Sequence, residues 1–304
     1  MIELRRLRLL HELNRLGTLA AVADSLSLSP SSVSSQLSLL EKELGVQLLE
    51  KVGRGVRLTP TARGLIPHID VMLDRLELIA IDLASLDAEP RGTVRVASFQ
   101  TAMIDLIPTA LHALRSFSHL RVEVTQLEPE EALPALATHD YDLVLGEEFP
   151  SLPAPTFPGV VREPLFRDRL QIALGPGLQI ARADPSDPVE LEALRNLPWI
   201  MEPRGTISHA WVLSLCRAAG FEPDIRYESH DMLVHVAMVR NGHAVALLSD
   251  LFTSRYRSDV QLHPLPGASR LIFVATRQAH ASTPALRVIR EALLRASAAI
   301  AKDP

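Results

Sequence analysis

The sequence lacks the features that mark disulfide-bonded, membrane or secreted proteins. It has one cysteine, Cys216, among 304 residues, and a single thiol excludes an internal disulfide. No uncharged apolar run reaches the length that spans a bilayer, and the first residues, MIELRRL, have no apolar signal-peptide core. We therefore expect a cytoplasmic protein with no membrane partner.

Motifs for catalysis and metal binding are also missing. There is no phosphate-cradling glycine loop, no nucleophile elbow and no Cys or His spacing typical of zinc. Asp231 and His235 lie four residues apart on one predicted helix face, but two ligands fall short of a metal site. Cys216 lies on an apolar helical face without a second cysteine to resolve an oxidised thiol, which favours a buried structural role. We expect neither an enzyme nor a bound metal or cofactor.

Charge divides the chain into two parts. The net charge is −5 overall, but residues 1–65 contain nine Lys/Arg and six Asp/Glu, which gives this part +3 and the remainder −8. A length of 304 residues predicts two or more domains. A basic N-terminal part is typical of a nucleic-acid-binding head, and an acidic remainder would stay off the duplex.

The stretch from residue 17 to residue 44 has the spacing of a helix-turn-helix. Thr18 can cap a first helix, and Ser29 with Pro30 can start a second helix that ends at Gly45. The exposed face of the second helix is crowded with serine, which stability does not favour in a helix. Short hydroxyls and one glutamine suit contact with phosphates and base edges in a major groove. A serine-rich solvated helix is the alternative interpretation.

A hairpin wing is predicted directly after the helix-turn-helix. Residues 49–52 and 56–58 are predicted strands around Gly53-Arg54-Gly55, a tight turn with an arginine at its tip. The wing favours DNA binding over the solvated-helix interpretation. A third interpretation, a binding-only lobe without DNA function, leaves both motifs unexplained.

Residues 4–66 resemble the DNA-binding region of LysR-type transcriptional regulators. From Leu7 onward the matching pattern is LxxLxxLxxxGTLAAVAxxLxLSxSSVSxQLxxLExxLGVxLLExVGRGVRLTPxxRxL. The chain departs from the family at Pro30-Ser31, where Gln-Pro is common, and at Ser35, Ser38 and Leu39, where basic residues are common, so we expect weaker phosphate attraction. The resemblance implies DNA contacts at Thr18, Ser29, Ser31, Ser32, Ser34, Ser35, Gln36, Ser38 and Arg54.

A long helix is predicted to follow the wing. It starts at Thr59-Pro60, and its apolar positions repeat in alternating steps of three and four as far as Leu86. This heptad seam predicts dimerisation, which a reader of a palindromic site also needs; a helix packed on its own domain is the alternative. Pro67 should kink the helix near Gly64. The predicted interface residues are Leu65, Ile69, Met72, Leu76, Ile79, Leu83 and Leu86.

The remainder of the chain alternates predicted strands and helices beyond a hinge at residues 87–92. This alternation predicts a mainly parallel sheet with helices on both faces. The family resemblance implies a two-lobed α/β effector domain like a periplasmic binding protein. The expected boundaries are 1–58 for an all-α winged helix-turn-helix, 59–89 for the linker helix and hinge, and 90–304 for the effector domain, with lobe I at 91–161 and 268–304 and lobe II at 162–267.

Candidate effector contacts lie at the ends of predicted strands, where loops meet helix N-termini. A surface loop is the alternative role for each residue singly. Three carboxylates opposite Arg204 favour a ligand with an amine or several hydroxyls. The candidates are Ser98, Phe99, Gln100, Thr101, Glu128, Glu147, Glu202, Arg204, Thr206, His230 and Asp231.

These observations predict a sequence-specific transcriptional regulator. We expect a homodimer, or a tetramer built from dimers, that binds an inverted repeat in double-stranded promoter DNA. A small-molecule effector would modulate this binding, and RNA polymerase is a further candidate partner.

Overall fold

The computed structural model describes residues 2–26, 28–53, 55–84, 89–178, 188–256 and 260–300. The chain divides into two compact units, residues 1–87 and residues 88–304. Within the described ranges no helix is both long enough and apolar enough to cross a membrane.

The N-terminal unit contains the predicted helix-turn-helix and wing. Thr18 Oγ1 accepts a hydrogen bond from Ala21 N at 3.2 Å, Ser29 Oγ accepts from Ser32 N at 3.2 Å, and Gly45 is left-handed with φ +67°. The predicted caps are confirmed. In chain order the elements are α1 (Leu4–Leu16), α2 (Leu19–Ser25), α3 (Pro30–Leu44), β1 (Leu49–Val52), β2 (Gly55–Leu58) and α4 (Pro60–Ala84).

The first turns of α4 belong to the core of this unit. Ala62, Ile66 and Ile69 are buried and pack with apolar residues of α1 and α3. Ile69 is only 2% exposed, so it has little surface left for the predicted dimer interface. Pro67 lies inside the helix.

The later part of α4 leaves its apolar face uncovered. Met72, Leu76 and Ile79 are between 41% and 51% exposed. Leu65 is partly buried against the core of the unit. The side chain of Leu83, and Leu86 altogether, lie outside the described residues.

A buried ion pair joins α1 to α4. His11 Nε2 lies 3.2 Å from an Asp70 carboxylate oxygen. Hydrogen bonding to Asp70 and then to Glu12 raises the pKa of His11 to about 9 from 6.5. The imidazolium form is therefore part of the folded state at neutral pH.

We expect the N-terminal unit to lose stability as pH rises. Because its folded pKa is raised, protonated His11 contributes fully below pH 6.5, and the contribution disappears as pH rises through about 9. The partial exposure of the Asp70 carboxylate to solvent reduces the effect to about 1–2 kcal/mol. Calorimetry of the full chain should show a smaller alkaline decrease in Asp70→Asn than in the control Asp24→Asn, a change at an exposed carboxylate. Equal decreases in both variants would contradict this role of the pair.

The second unit is built on a six-stranded sheet of order β4-β3-β5-β10-β6-β9, with β7 and β8 as a separate parallel pair. The prediction of a mainly parallel sheet was wrong, since only β4, β3 and β5 are parallel, and β10, β6 and β9 pair antiparallel. The alternation of strands and helices did not reveal the direction of β6, β9 and β10. The strands are β3 (Gly92–Ser98), β4 (Leu120–Gln126), β5 (Leu143–Glu148), β6 (Val160–Leu174), β7 (Pro198–Met201), β8 (Asp224–Glu228), β9 (Ala246–Ser249) and β10 (Gln261–Arg277).

Helices cover both faces of this sheet. Leu106 of α5 and Leu293 of α10 belong to one buried cluster, and Leu133 of α6 packs with Phe273 in another. Helix α5 begins at Gln100, two residues after the end of β3 at Ser98. The helices are α5 (Gln100–Ala113), α6 (Pro129–Ala137), α7 (Ile207–Ala218), α8 (Met232–Arg240), α9 (Asp250–Tyr256) and α10 (Pro284–Ile300).

The two lobes share β6 and β10. These strands contain 15 and 17 residues and pair with each other along most of their length. The expected lobe boundaries near residues 162 and 268 therefore fall inside continuous strands. Lobe II adds β7, β8, α7 and α8, with Trp199 and Trp211 fully buried in its core.

Candidate functional site

The candidate DNA-binding face is the polar side of α3. Val33 and Leu37 are fully buried, so the residues between them point away from the core. Ser31, Ser35 and Ser38 are exposed, while Ser32 and Ser34 are partly exposed. Thr18 and Ser29 act as helix caps, and Ser29 Oγ also lies 3.0 Å from Ser31 Oγ. Arg54, the predicted wing arginine, lies outside the described residues.

Gln36 is held in position on this face. Its Oε1 accepts a hydrogen bond from Arg6 Nε at 2.9 Å, and Arg6 is itself paired with Glu3 and Glu43. Glutamine reads adenine with its carbonyl and its amide together. Arg6 therefore orients the glutamine and occupies one of the two groups that reading a base requires.

The candidate effector cleft lies in the second unit. The space in and immediately above it measures about 700 Å³, which includes open solvent. Residues from both lobes line it. They are Phe99, Gln100, Thr101, Glu128, Glu147, Phe149, Leu170, Trp199, Ile200, Met201, Glu202, Ser208, His209, Trp211, Val212, His230, Met232, His235, Leu247, Ser249 and Arg270.

Arg270 on β10 organises the floor of the cleft. Its Nη1 donates to Glu147 at 2.6 Å and its Nε donates to Asp168 at 2.8 Å. Its Nη2 donates to Thr101 Oγ1 at 2.8 Å and to Ser249 Oγ at 3.0 Å. Burial lowers the pKa of Arg270, but its two carboxylate partners raise this pKa by more than burial lowers it. The guanidinium therefore stays charged. All three guanidinium nitrogens are engaged by the protein itself.

Further carboxyl groups surround this guanidinium. Burial, followed by the nearby Glu147 and Glu130, raises the pKa of Glu128 to about 7. Burial and then Glu147 and Glu128 raise the pKa of Glu202 well above its usual value. Burial also raises the pKa of Glu147, against the opposing effect of Arg270. The cleft therefore crowds poorly solvated carboxyl groups, which hold their protons more tightly than carboxyl groups in water.

Two histidines line the cleft with defined tautomers in their neutral forms. His209 Nδ1 donates to the carbonyl of Glu202 at 2.7 Å, and His235 Nε2 donates to the carbonyl of Ser229 at 2.8 Å. Because a carbonyl oxygen only accepts, the second nitrogen of each ring is left as an acceptor. In the described part of the chain, His235 Nδ1 is buried without a hydrogen-bond partner. Burial lowers the pKa of His235, so this ring is neutral.

Two side-chain contacts bridge the cleft at its rim. Gln100 at the start of α5 donates to Asp231 Oδ1 at 2.9 Å and accepts from Met232 N at 2.8 Å. Glu130 at the start of α6 accepts from Ile207 N at 2.5 Å. Both contacts join a helix of lobe I to a helix N-terminus of lobe II.

Seven of the predicted effector residues line the cleft, and four have other roles. Ser98 is fully buried within β3, and its hydroxyl donates to the carbonyl of Phe99. Arg204 is 79% exposed and lies 3.5 Å from Glu228, because its loop directs it to solvent. Thr206 caps α7 by accepting from His209 N, and Asp231 caps α8 by accepting from Leu233 N. The residues on the cleft are Phe99, Gln100, Thr101, Glu128, Glu147, Glu202 and His230.

Sequence reasoning missed the central cation. Arg270 lies in the run GASRLIFVATR, where one charged residue interrupts an apolar strand. A charge in such a strand must find buried partners, which was the available signal. Its neighbour Asp168, directly opposite in the β6–β10 register, was also missed.

Cys216 has the structural role predicted for it. Its side chain is fully buried in the core of lobe II. Burial raises the pKa of the thiol to about 12. Because the thiolate is the reactive form, this cysteine is poorly suited to redox sensing.

Both units match family models. Residues 4–63 match the bacterial regulatory helix-turn-helix protein of the lysR family, and residues 87–298 match the LysR substrate binding domain. The chain belongs to the LysR family. This identification confirms the resemblance seen in the sequence.

Relatives of this LysR family protein cover nearly its full length. The HTH-type transcriptional regulator YeiE of Escherichia coli K12 is 28% identical over 290 residues, which is 92% of this chain and 94% of YeiE. A full-length OxyR variant from Pseudomonas aeruginosa has a TM-score of 0.76 at 20% identity, with 100% of this chain and 97% of that chain covered. Full-length CbnR in complex with its target DNA has a TM-score of 0.60 at 21% identity, with 97% and 100% covered. The two solved structures share the fold.

We expect the stability of the second unit to decrease as pH rises from about 4.5 to about 7. A carboxyl whose folded pKa is raised binds its proton more tightly when folded, so unfolding becomes easier over the window between the usual 4.5 and the folded value of about 7. For Glu128 this amounts to about 3 kcal/mol. Urea unfolding of the full chain should show a shallower decrease in Glu128→Gln than in the wild type.

The matched control is Glu192→Gln, because the Glu192 side chain is exposed and paired with Arg195. This control should keep the wild-type dependence on pH. An unchanged slope in Glu128→Gln would show that Glu128 is solvated in solution.

Proposed function

We propose that this LysR family protein is a cytoplasmic regulator that acts by binding, not catalysis, and that its cleft holds the effector. The observation that carries the proposal is the combination of a capped helix with a hydroxyl-rich exposed face and a polar cleft between two lobes. A helix with short polar side chains fits a major groove, and clefts between lobes are usual sites for small molecules. In the part of the chain that the structure describes, no group of three or more potential ligands could hold a metal.

The DNA partner is supported by the face of α3 and by the CbnR structure. CbnR binds its target DNA with the fold that this chain shares. The serines of α3 supply hydroxyls to phosphates and bases but no positive charge. Affinity must then come from cations elsewhere in the unit, of which Arg5 and Arg8 on α1 are exposed examples.

The dimer is supported by the uncovered part of α4. Met72, Leu76 and Ile79 repeat at steps of four and three, and all are exposed. Such a stripe on a long helix is typical of a coiled-coil seam. A two-fold pair of heads would also match an inverted repeat in DNA.

Gln36→Ala should relax sequence preference while the N-terminal unit stays folded. Gln36 is only partly buried and lies on the polar side of α3, so its loss removes one base-reading group and no core contact. Because Arg6 occupies the carbonyl of Gln36, only its NH2 group is left to read a base, and we expect the ratio of operator to random-DNA affinity to fall about twofold to tenfold, in line with about 0.5–1.5 kcal/mol for one hydrogen bond. Gel shifts at fixed salt measure both affinities.

Gln126→Ala is the control, because this exposed glutamine lies on β4 of the other unit. It should leave both affinities unchanged. A wild-type affinity ratio in Gln36→Ala would remove Gln36 from the residues that read bases.

Leu76→Glu should prevent dimerisation without unfolding either unit. The leucine is 41% exposed, so a glutamate here is solvated in the monomer but would be buried against its symmetry mate in the dimer. Sedimentation velocity should show a monomer, and operator affinity should fall because a single head contacts one half-site. The control is Leu111→Glu on α5, where the leucine is 37% exposed. A dimer that persists in Leu76→Glu would place the interface elsewhere.

A further inference from the structure

The free hydrogen-bonding groups of the cleft are mostly acceptors. The carboxyl groups of Glu128 and Glu202 line it. Glu147, whose Oε2 accepts a hydrogen bond from Arg270, lines it as well. The ring nitrogens His209 Nε2 and His235 Nδ1 add two further acceptors.

The charged donor of the cleft is already in use. Arg270 gives its donors to two carboxylates and two hydroxyls. The NH2 group of Gln100 donates to Asp231, while its carbonyl accepts from Met232 N. Among the described residues that line the cleft, the indole of Trp199 is a buried donor without a partner.

The charged groups of the cleft favour the same kind of ligand as its hydrogen-bond acceptors do. One guanidinium faces Asp168 and Glu147 at hydrogen-bond distance, and Glu128 and Glu202 add further negative charge when they ionise. A carboxylate in a poorly solvated site is stabilised by a cation or by hydrogen-bond donors. An anionic ligand would instead oppose the ionisation of these carboxyl groups.

We propose that the effector of this protein is a small organic cation with N–H donors, such as a primary ammonium or a guanidinium, held by Glu128, Glu147 and Glu202. The inference rests on the proposed effector function of the cleft. His235, which lines the cleft and is 2% exposed, supports the proposal independently. Its Nδ1 atom is unprotonated and has no hydrogen-bond partner among the described residues. Such a nitrogen needs a donor, and an N–H cation supplies one. One feature of the cleft favours a ligand of the opposite charge. The first turn of α5 lines the cleft, and a helix N-terminus favours an anion.

The test compares probes of similar size and different charge on the full chain. The probes are butylamine and agmatine as N–H cations, tetramethylammonium as a cation without N–H donors, butyrate as an anion, and butanol as a neutral molecule. Binding is measured by calorimetry and by the shift in unfolding temperature at constant ionic strength. Butylamine or agmatine should bind and stabilise the wild type more than the other three probes. Tighter binding of butyrate, or equal binding of tetramethylammonium, would overturn the proposal.

Glu202→Gln separates loss of charge from loss of fold. Its carboxylate is crowded by like charges, so the amide should keep or increase the stability of the protein without ligand. Affinity for the N–H cation should fall about tenfold or more, as expected when a charged hydrogen bond is lost. The exposed control Glu192→Gln should bind like the wild type. Unchanged cation affinity in a folded Glu202→Gln protein would overturn the proposal.

A DNA readout tests the proposed function separately. Gel shifts and footprints of the wild type with and without agmatine report whether occupancy of the cleft changes promoter binding. Cation binding without any change in the footprint would leave the ligand class in place and contradict the effector role. Promoter binding that responds to butyrate and not to agmatine would support the effector role and overturn the ligand class.

Discussion

One buried guanidinium holds the floor of the cleft together. Arg270 joins β10 to Glu147 on β5, Asp168 on β6, Thr101 on α5 and Ser249 on β9. A buried charge is tolerated only when its partners satisfy it, so these contacts restrict how the strands and the first turn of α5 are placed. The arrangement uses one cation for two carboxylates. The surplus negative charge of the cleft follows directly from this imbalance.

One apolar repeat runs along helix α4, but its two parts lie in different environments. At Ala62 and Ile69 the repeat faces the core of its own unit, whereas at Met72 and Leu76 it faces outward. Sequence periodicity cannot distinguish these two cases, because both need apolar residues at the same spacing. The change of environment depends on where α1 stops covering the helix. His11 and Asp70 mark that point, and their ion pair closes the core beside the exposed stripe.

Local chemistry made the N-terminal unit predictable. Thr18, Ser29 and Gly45 act as caps through neighbours within a few residues, so their roles can be seen in the sequence. The cleft was predictable only in part, because strand ends indicate where polar groups gather but not which groups face inward. Arg270 could not be paired from sequence, since its partners Asp168, Glu147 and Thr101 are 102, 123 and 169 residues away. Arg204 follows a strand, as the other candidate residues do, but its loop directs it to solvent.

The rim contacts of Gln100 and Glu130 bear on how easily the lobes separate. Each accepts a hydrogen bond from an amide at the start of a lobe II helix, Met232 N or Ile207 N. Water can satisfy a helix N-terminus nearly as well, so breaking these bonds costs only about 0.5–1.5 kcal/mol each. An allosteric coupling of about 1–3 kcal/mol is of the same size. A ligand that replaced these two contacts with its own would thus spend only a small share of its binding energy on breaking them.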